Sequence, residues 1–200
     1  TVDFGEIGCV GRDGKTRTGQ ISYTMTGWYR EEGSILTTTT NNYTVDGYKV
    51  TGTRTATNKG ENAIGQLHFS VEVSGASITD LEGQTMSWES SRIRTWIEGE
   101  ETGFFTSNGS GGFLGWDGIT DDVYEITGSA NGVSRSGNTF NIDITSALRV
   151  QLDCIWITEG FLSLKPEDYD ARTLNYGDGT CDNKATLSTN RKDVEITLRG

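Results

Sequence analysis

The scarcities of this sequence are informative: in 200 residues there is one proline, one histidine, two methionines and three cysteines. A single proline leaves long strands free of the residue that cannot donate to a sheet ladder. A single histidine, His68, with no serine, cysteine or carboxylate pattern beside it, argues against a nucleophile and base working as a pair. Cysteines at 9, 154 and 181, with no C-x-x-C or H-E-x-x-H spacing, exclude the usual zinc signatures. Basic residues are also in deficit, 17 against 28 acids, for a net charge of −11. A field of that sign repels nucleic acid and anionic membranes. No run of 18 apolar residues is present, so no helix crosses a bilayer, and no charged and apolar leader opens the chain. Thr1 instead begins in strand-like sequence, as a piece of a longer precursor would.

Glycine and alternation are abundant. Glycine accounts for 27 residues, which suits many tight turns. Period-2 alternation runs through Leu67, Phe69, Val71 and Val73, with His68, Ser70 and Glu72 opposite. It recurs at Ile155 and Ile157 and at Val194, Ile196 and Leu198. Turn signals follow at Asp13-Gly14, Asp46-Gly47, Lys59-Gly60, Glu82-Gly83, Glu98-Gly99, Asn108-Gly109, Asn131-Gly132, Ser136-Gly137 and Glu159-Gly160. The one stretch that allows a helical turn is Lys165 to Arg172, with Pro166 at its first position. The expectation is a single all-β domain over residues 1–200, an extended antiparallel meander forming a curved sheet, a sandwich or an open barrel.

The chain also repeats itself. Thr1-Val2-Asp3-Phe4-Gly5 with Cys9 returns as Thr173-Leu174-Asn175-Tyr176-Gly177 with Cys181, and each copy leads to a closing strand, Ile21 to Gly27 and Val194 to Gly200. A shorter echo, Tyr-x-x-Thr-Gly, occurs at Tyr23, Tyr48 and Tyr124. Growth by duplicated hairpins gives one continuous meander rather than two globules.

The block Cys154-Ile-Trp156-Ile-Thr-Glu-Gly160, then Tyr176-Gly-Asp-Gly-Thr-Cys181-Asp-Asn183 and Ile196-Thr-Leu-Arg199, resembles the exported β-rich lipoproteins of Bacteroidetes. The likeness takes in Gly11-Arg-Asp-Gly-Lys15 and Thr57-Asn-Lys-Gly60 as well. It implies an extracytoplasmic place in the cell envelope, in the periplasm or at the outer membrane, reached through a lipid anchor. That family has no assigned function, and no catalytic residues transfer from it. In an oxidising compartment a Cys154–Cys181 disulfide is open to form, the alternative being three free thiols. By the repeat, Cys9 stands where Cys181 stands, so its partner would lie upstream of Thr1 and Cys9 is expected unpaired.

Several clusters have a chemical and a plain reading. Glu98, Glu100 and Glu101 precede Phe104 and Phe105, which could frame a glycan cleft, or form an ordinary acidic turn. Asp117 to Asp122 and Asp178 to Asn183 offer oxygen ligands, but side-chain turns at hairpin ends explain them without metal. No metal and no cofactor is expected. The most site-like feature is Trp88, Arg92, Arg94 and Trp96, which strand parity places on one face, with Ile93 and Ile97 on the other. Aromatic rings beside guanidinium groups can stack on sugars and bind anions, or stack on one another and stiffen the sheet. The resulting expectation is a non-enzymatic envelope domain with a binding or structural role, whose partner is a glycan, a lipid or an envelope protein and never nucleic acid. A carrier of an apolar ligand in a curved sheet and a glycan-binding or glycan-active protein are the alternatives.

Overall fold

The computed structural model describes every residue except Arg12, Phe104, Arg199 and Gly200. Part of the Gly11–Lys15 motif, the first ring of the Phe104-Phe105 pair and the end of the closing strand therefore lie outside the described residues. The chain is 61% strand and 2% helix, as the alternation and glycine spacing require. Its strands are β1 (Val2–Asp3), β2 (Cys9–Val10), β3 (Thr16–Met25), β4 (Ile35–Val45), β5 (Tyr48–Glu61), β6 (Leu67–Thr79), β7 (Thr85–Glu98), β8 (Val123–Val133), β9 (Thr139–Gln151), β10 (Ile157–Pro166), β11 (Arg172–Asp178), β12 (Lys184–Ser188) and β13 (Asp193–Thr197). All belong to one antiparallel sheet that runs β1-β3-β4 and so on to β13, with β2 beside β3. The sheet does not close into a barrel.

A sheet of this kind exposes both faces, and the surface area says so. The accessible surface is 12246 Å² for 21.8 kDa, against about 9,300 Å² for a compact monomer of that mass. What holds the sheet is cross-strand contact, and it is sorted by face. One unbroken line of paired residues crosses eleven strands: Met25, Leu36, Ala56, Val71, Arg92, Gly128, Ile144, Leu162, Leu174, Leu187 and Val194. The neighbouring line, one residue along each strand and hence on the opposite face, reads Thr24, Thr37, Thr55, Glu72, Ser91, Ser129, Asp143, Ser163, Thr173, Ser188 and Asp193. Parity thus gives the sheet an apolar face and a hydroxyl-rich, acidic face. A one-residue slip of any strand would invert its side chains, so this sorting fixes the register.

Asp46-Gly47 is a two-residue hairpin in which both residues take positive φ, 51° and 83°, the geometry that matches strand twist. Three other expected turns lie inside strands instead. Lys59-Gly60 and Glu159-Gly160 sit at register shifts in β5 and β10, and Asn131-Gly132 lies within β8. A glycine between alternating residues marks a bulge or a close approach as readily as a turn. The Tyr-x-x-Thr-Gly echo has the same meaning in two of its three copies, since Gly52 and Gly128 both fall at register shifts. Gly128 cannot be replaced without strain: a Cβ there would lie 2.2 Å from the Ser91 carbonyl oxygen, and its φ is 120°. The expected helical turn at Lys165 to Arg172 is absent. Pro166 ends β10, where it pairs with Phe140 at the strand end, and the helical turn falls at Gly115–Gly118 instead.

The long repeat is a repeat of sequence rather than of pairing. β1 pairs directly with β3, whereas β11 is separated from β13 by β12. Cys154 and Cys181 are joined by a disulfide, which ties the segment before β10 to the segment after β11, and Cys9 is free and exposed.

Candidate functional site

At one end of the apolar face the sheet gains a true core. Phe69 is 1% exposed and packs with Ala56, Leu67, Val71, Trp96 and Tyr124. Two loops cover this cluster. Tyr29, from the β3–β4 connection, stacks on Phe69 with ring centroids 4.8 Å apart. Arg30 beside it lies 4.5 Å over the Trp96 ring and donates to the carbonyls of Glu100 and Thr102 in the β7–β8 connection. Asn58, buried in β5, donates to the Tyr29 carbonyl and fastens the first loop to the sheet.

Within β7 the register to β8 is continuous from Ser87 to Trp96, so Trp88, Arg92, Arg94 and Trp96 do share the apolar face. Their surroundings differ. Trp96 is 5% exposed and tilts against Tyr124 at 5.4 Å, which makes it part of the core rather than a surface for stacking a ligand. Arg94 is half-buried among rings, 4.8 Å from Tyr124, 5.0 Å from Phe69 and 5.7 Å from Tyr29. Burial lowers its pKa, partly offset by Tyr124 and Asp122, and aromatic faces supply the attraction that a carboxylate would elsewhere. Trp88 is half-buried between Ala76 and Gly132, and Arg92 is exposed.

The apolar face carries four of the strand arginines. Arg92 stands in the apolar line between Val71 and Gly128. Arg54 and Arg172 stand in the next line of the same face, Thr38, Arg54, Val73, Ser90, Ala130, Ile142, Leu164 and Arg172. Arg94 is in the line beyond Arg92, between Phe69 and Ile126. None of these four arginines makes an ion pair among the described residues. Six strand acids, Glu72, Glu89, Glu125, Asp143, Asp193 and Glu195, take the other parity, where Arg149 stands between Glu125 and Glu159, while Glu61 pairs with Leu67 at the edge of the apolar core. Arg54 has its pKa lowered by burial. In a chain of net charge −11, the apolar face is cationic. Arg54 and Arg172 were not singled out from the sequence, although both sit at apolar parity, in Arg54-x-Ala56 and Arg172-x-Leu174.

The other expected clusters have ordinary partners. His68 places Nδ1 3.0 Å from the Gly60 carbonyl oxygen. Glu98 pairs with Arg149, and the Glu100 carbonyl accepts from Arg30. Phe105 meets Phe113 edge to face on the outside of the β7–β8 loop. Asp178 accepts from the backbone and hydroxyl of Thr180, and Asp182 from the Lys184 amide, as turn-forming side chains do. No group of three or more histidine, cysteine, aspartate or glutamate residues gathers to hold a metal among the described residues.

Asp122 is the acid with an unusual setting. It is 3% exposed and accepts from the Tyr124 hydroxyl at 3.0 Å, while its other oxygen has no partner among the described residues. Burial raises its pKa, against the opposing pull of Tyr124. The folded protein then holds this proton more tightly than the unfolded chain does, so stability falls as pH rises from about 4 through the raised value. Asp3 and Asp178, whose pKa values are lowered, act below that range and in the opposite sense, stabilising above it and losing that contribution in acid. Urea midpoints from pH 4 to 7 should decline more steeply for the native protein than for Asp122→Asn. Parallel curves would remove Asp122 from this account.

Compared with protein-family models, with curated proteins and with solved structures, the chain matches none.

Proposed function

We propose that this is a non-enzymatic, extracytoplasmic domain of the cell envelope that binds a partner bearing both apolar and anionic groups, on its apolar, arginine-bearing face. The observation that carries the reading is the placing of four strand arginines, Arg54, Arg92, Arg94 and Arg172, on the apolar face, with most strand acids on the other. Placing a guanidinium in an apolar row is costly unless an anion or a π-face meets it. Arg94 has its rings; among the described residues the half-buried Arg54 has neither an ion pair nor a ring contact, and the exposed Arg92 stands equally unpaired beside it. They lie two strands and two residues apart, about 12 Å between Cα atoms by sheet spacing. Gly128 and Ala130 form the low ground beside Arg92. Binding is favoured over catalysis by the way His68, Glu98 and Asp122 are each engaged by structural partners. An extracytoplasmic place is supported by the disulfide, and the lipid anchor by the lipoprotein resemblance.

The test uses two probes of similar ring system, anionic anilinonaphthalene sulfonate and neutral phenylnaphthylamine, read by fluorescence. The native protein should prefer the anion. Arg54→Ala with Arg92→Ala should weaken the anion at least about threefold and leave the neutral probe unchanged, as expected when charge-assisted contacts are lost. Equal affinity for both probes, or no effect of the double substitution, would defeat the reading.

A further inference from the structure

Farther along the same face, where β9, β10 and the start of β11 meet the β10–β11 turn, lies a groove of about 440 Å³. Its floor is Met86, Phe140, Ile142, Leu164 and Pro166, all of apolar parity, and Arg172 stands at its rim. The volume is within the range of small-molecule sites, about 300–1,000 Å³. The floor offers almost no hydrogen-bonding groups, so what lies there must be apolar. The Arg172 side chain has no hydrogen bond or ion pair among the described residues. Two of the three acids in the turn are engaged elsewhere: Glu167 accepts from the Thr139 hydroxyl at 2.6 Å and Asp170 from the Asn190 side chain at 2.6 Å, while the third, Asp168, forms no ion pair with Arg172. Lys165, on the opposite face, donates to the Tyr169 carbonyl and helps to shape the turn.

We propose that this groove holds one acyl chain along its apolar floor and takes the chain's anionic head, a carboxylate or a phosphate, at Arg172. The inference rests on the reading of the apolar face given above and adds a place and a ligand class to it. Charge complementarity selects the occupant. A second copy of this chain would bring its own arginines to the same face and be repelled, and a neutral oil would gain nothing from the exposed Arg172 charge. A guanidinium fork matches either oxyanion in geometry, so the head is defined by charge and planar or tetrahedral oxygens, not by one lipid.

The experiment is calorimetric titration of the whole chain with dodecanoate, dodecyl phosphate, dodecanol and dodecyltrimethylammonium, each below its micellar concentration. Both anions should bind at least about tenfold more tightly than the alcohol, and the cation weakest of all. Arg172→Ala should abolish that preference while leaving the melting temperature unchanged, and Arg172→Glu should shift preference to the cation. Whichever anion binds more tightly identifies the head group and supports the site. If Arg54→Ala with Arg92→Ala removes anion binding and Arg172→Ala does not, the groove is refuted while the proposed function stands. If the alcohol binds as well as the anions, or no chain binds, the groove is refuted outright, and the naphthalene probes still decide the wider reading.

Discussion

Replacing Cys154 and Cys181 by serine together should lower stability by about 3.5 kcal/mol and the melting temperature by about 7–14 °C. The bond closes a 27-residue separation, and the chain-entropy relation for a loop of that length gives about 3.5 kcal/mol. For a chain of this size each kcal/mol moves the midpoint by about 2–4 °C. The physical reason for so large a dependence is the single-layer construction. Among the described residues β11, β12 and β13 pair only with their sheet neighbours, and β13 is the outermost strand. The disulfide restrains the β10–β11 pair from which the last two strands hang, at the end of the sheet farthest from the Phe69 core. Scanning calorimetry should therefore show loss concentrated in this terminal part, seen as a broadened or divided transition. An unchanged midpoint would mean that strand pairing alone holds the terminus.

In the middle of the strand order, Phe69→Ala in β6 should cost about 3–5 kcal/mol, the range for deleting a buried aromatic. Phe69 is the most buried large side chain, and its removal takes the stacking partner from Tyr29 and a supporting ring from Arg94. The cost exceeds simple transfer because Arg94 keeps its buried charge while losing one of three π-faces. Ile93→Ala is the control. Ile93 is adjacent to Arg94 but 38% exposed on the polar face, and its truncation should cost under about 1 kcal/mol. Chemical denaturation of the two variants would compare the faces. Similar losses for both would contradict the claim that only the apolar face carries the packing.

Much of this was legible in the sequence because side-chain period and sheet face are the same quantity. The alternation at Leu67, Phe69, Val71 and Val73 places all four on the packed side of β6, and the parity that groups Trp88 with Arg92, Arg94 and Trp96 holds along β7. What periodicity cannot supply is which loop covers which end. Trp88 and Trp96 are equivalent by parity, yet Arg30, 66 positions before Trp96 in sequence, buries one of them and not the other. The bulged glycines mislead for a related reason: Gly60 and Gly160 look like hairpin turns because a local signal does not distinguish a reversal from a strand that absorbs an extra residue. The arginine pattern needed the register. Arg54, Arg92 and Arg172 are 38 and 80 residues apart and come onto one face only when the seven strands from β5 to β11 are laid side by side.

The central claim is that partners meet the apolar, cationic face, and photo-cross-linking tests it most directly. A twelve-carbon carboxylate with a terminal diazirine, irradiated with the native protein and mapped by peptide mass spectrometry, should label apolar-parity residues such as Phe140, Ile142 and Leu164, and labelling should fade when Arg172→Ala is combined with Arg54→Ala and Arg92→Ala. Labels concentrated on Thr55, Ser91, Ser129 and Ser163 of the hydroxyl face, indifferent to those arginines, would contradict it.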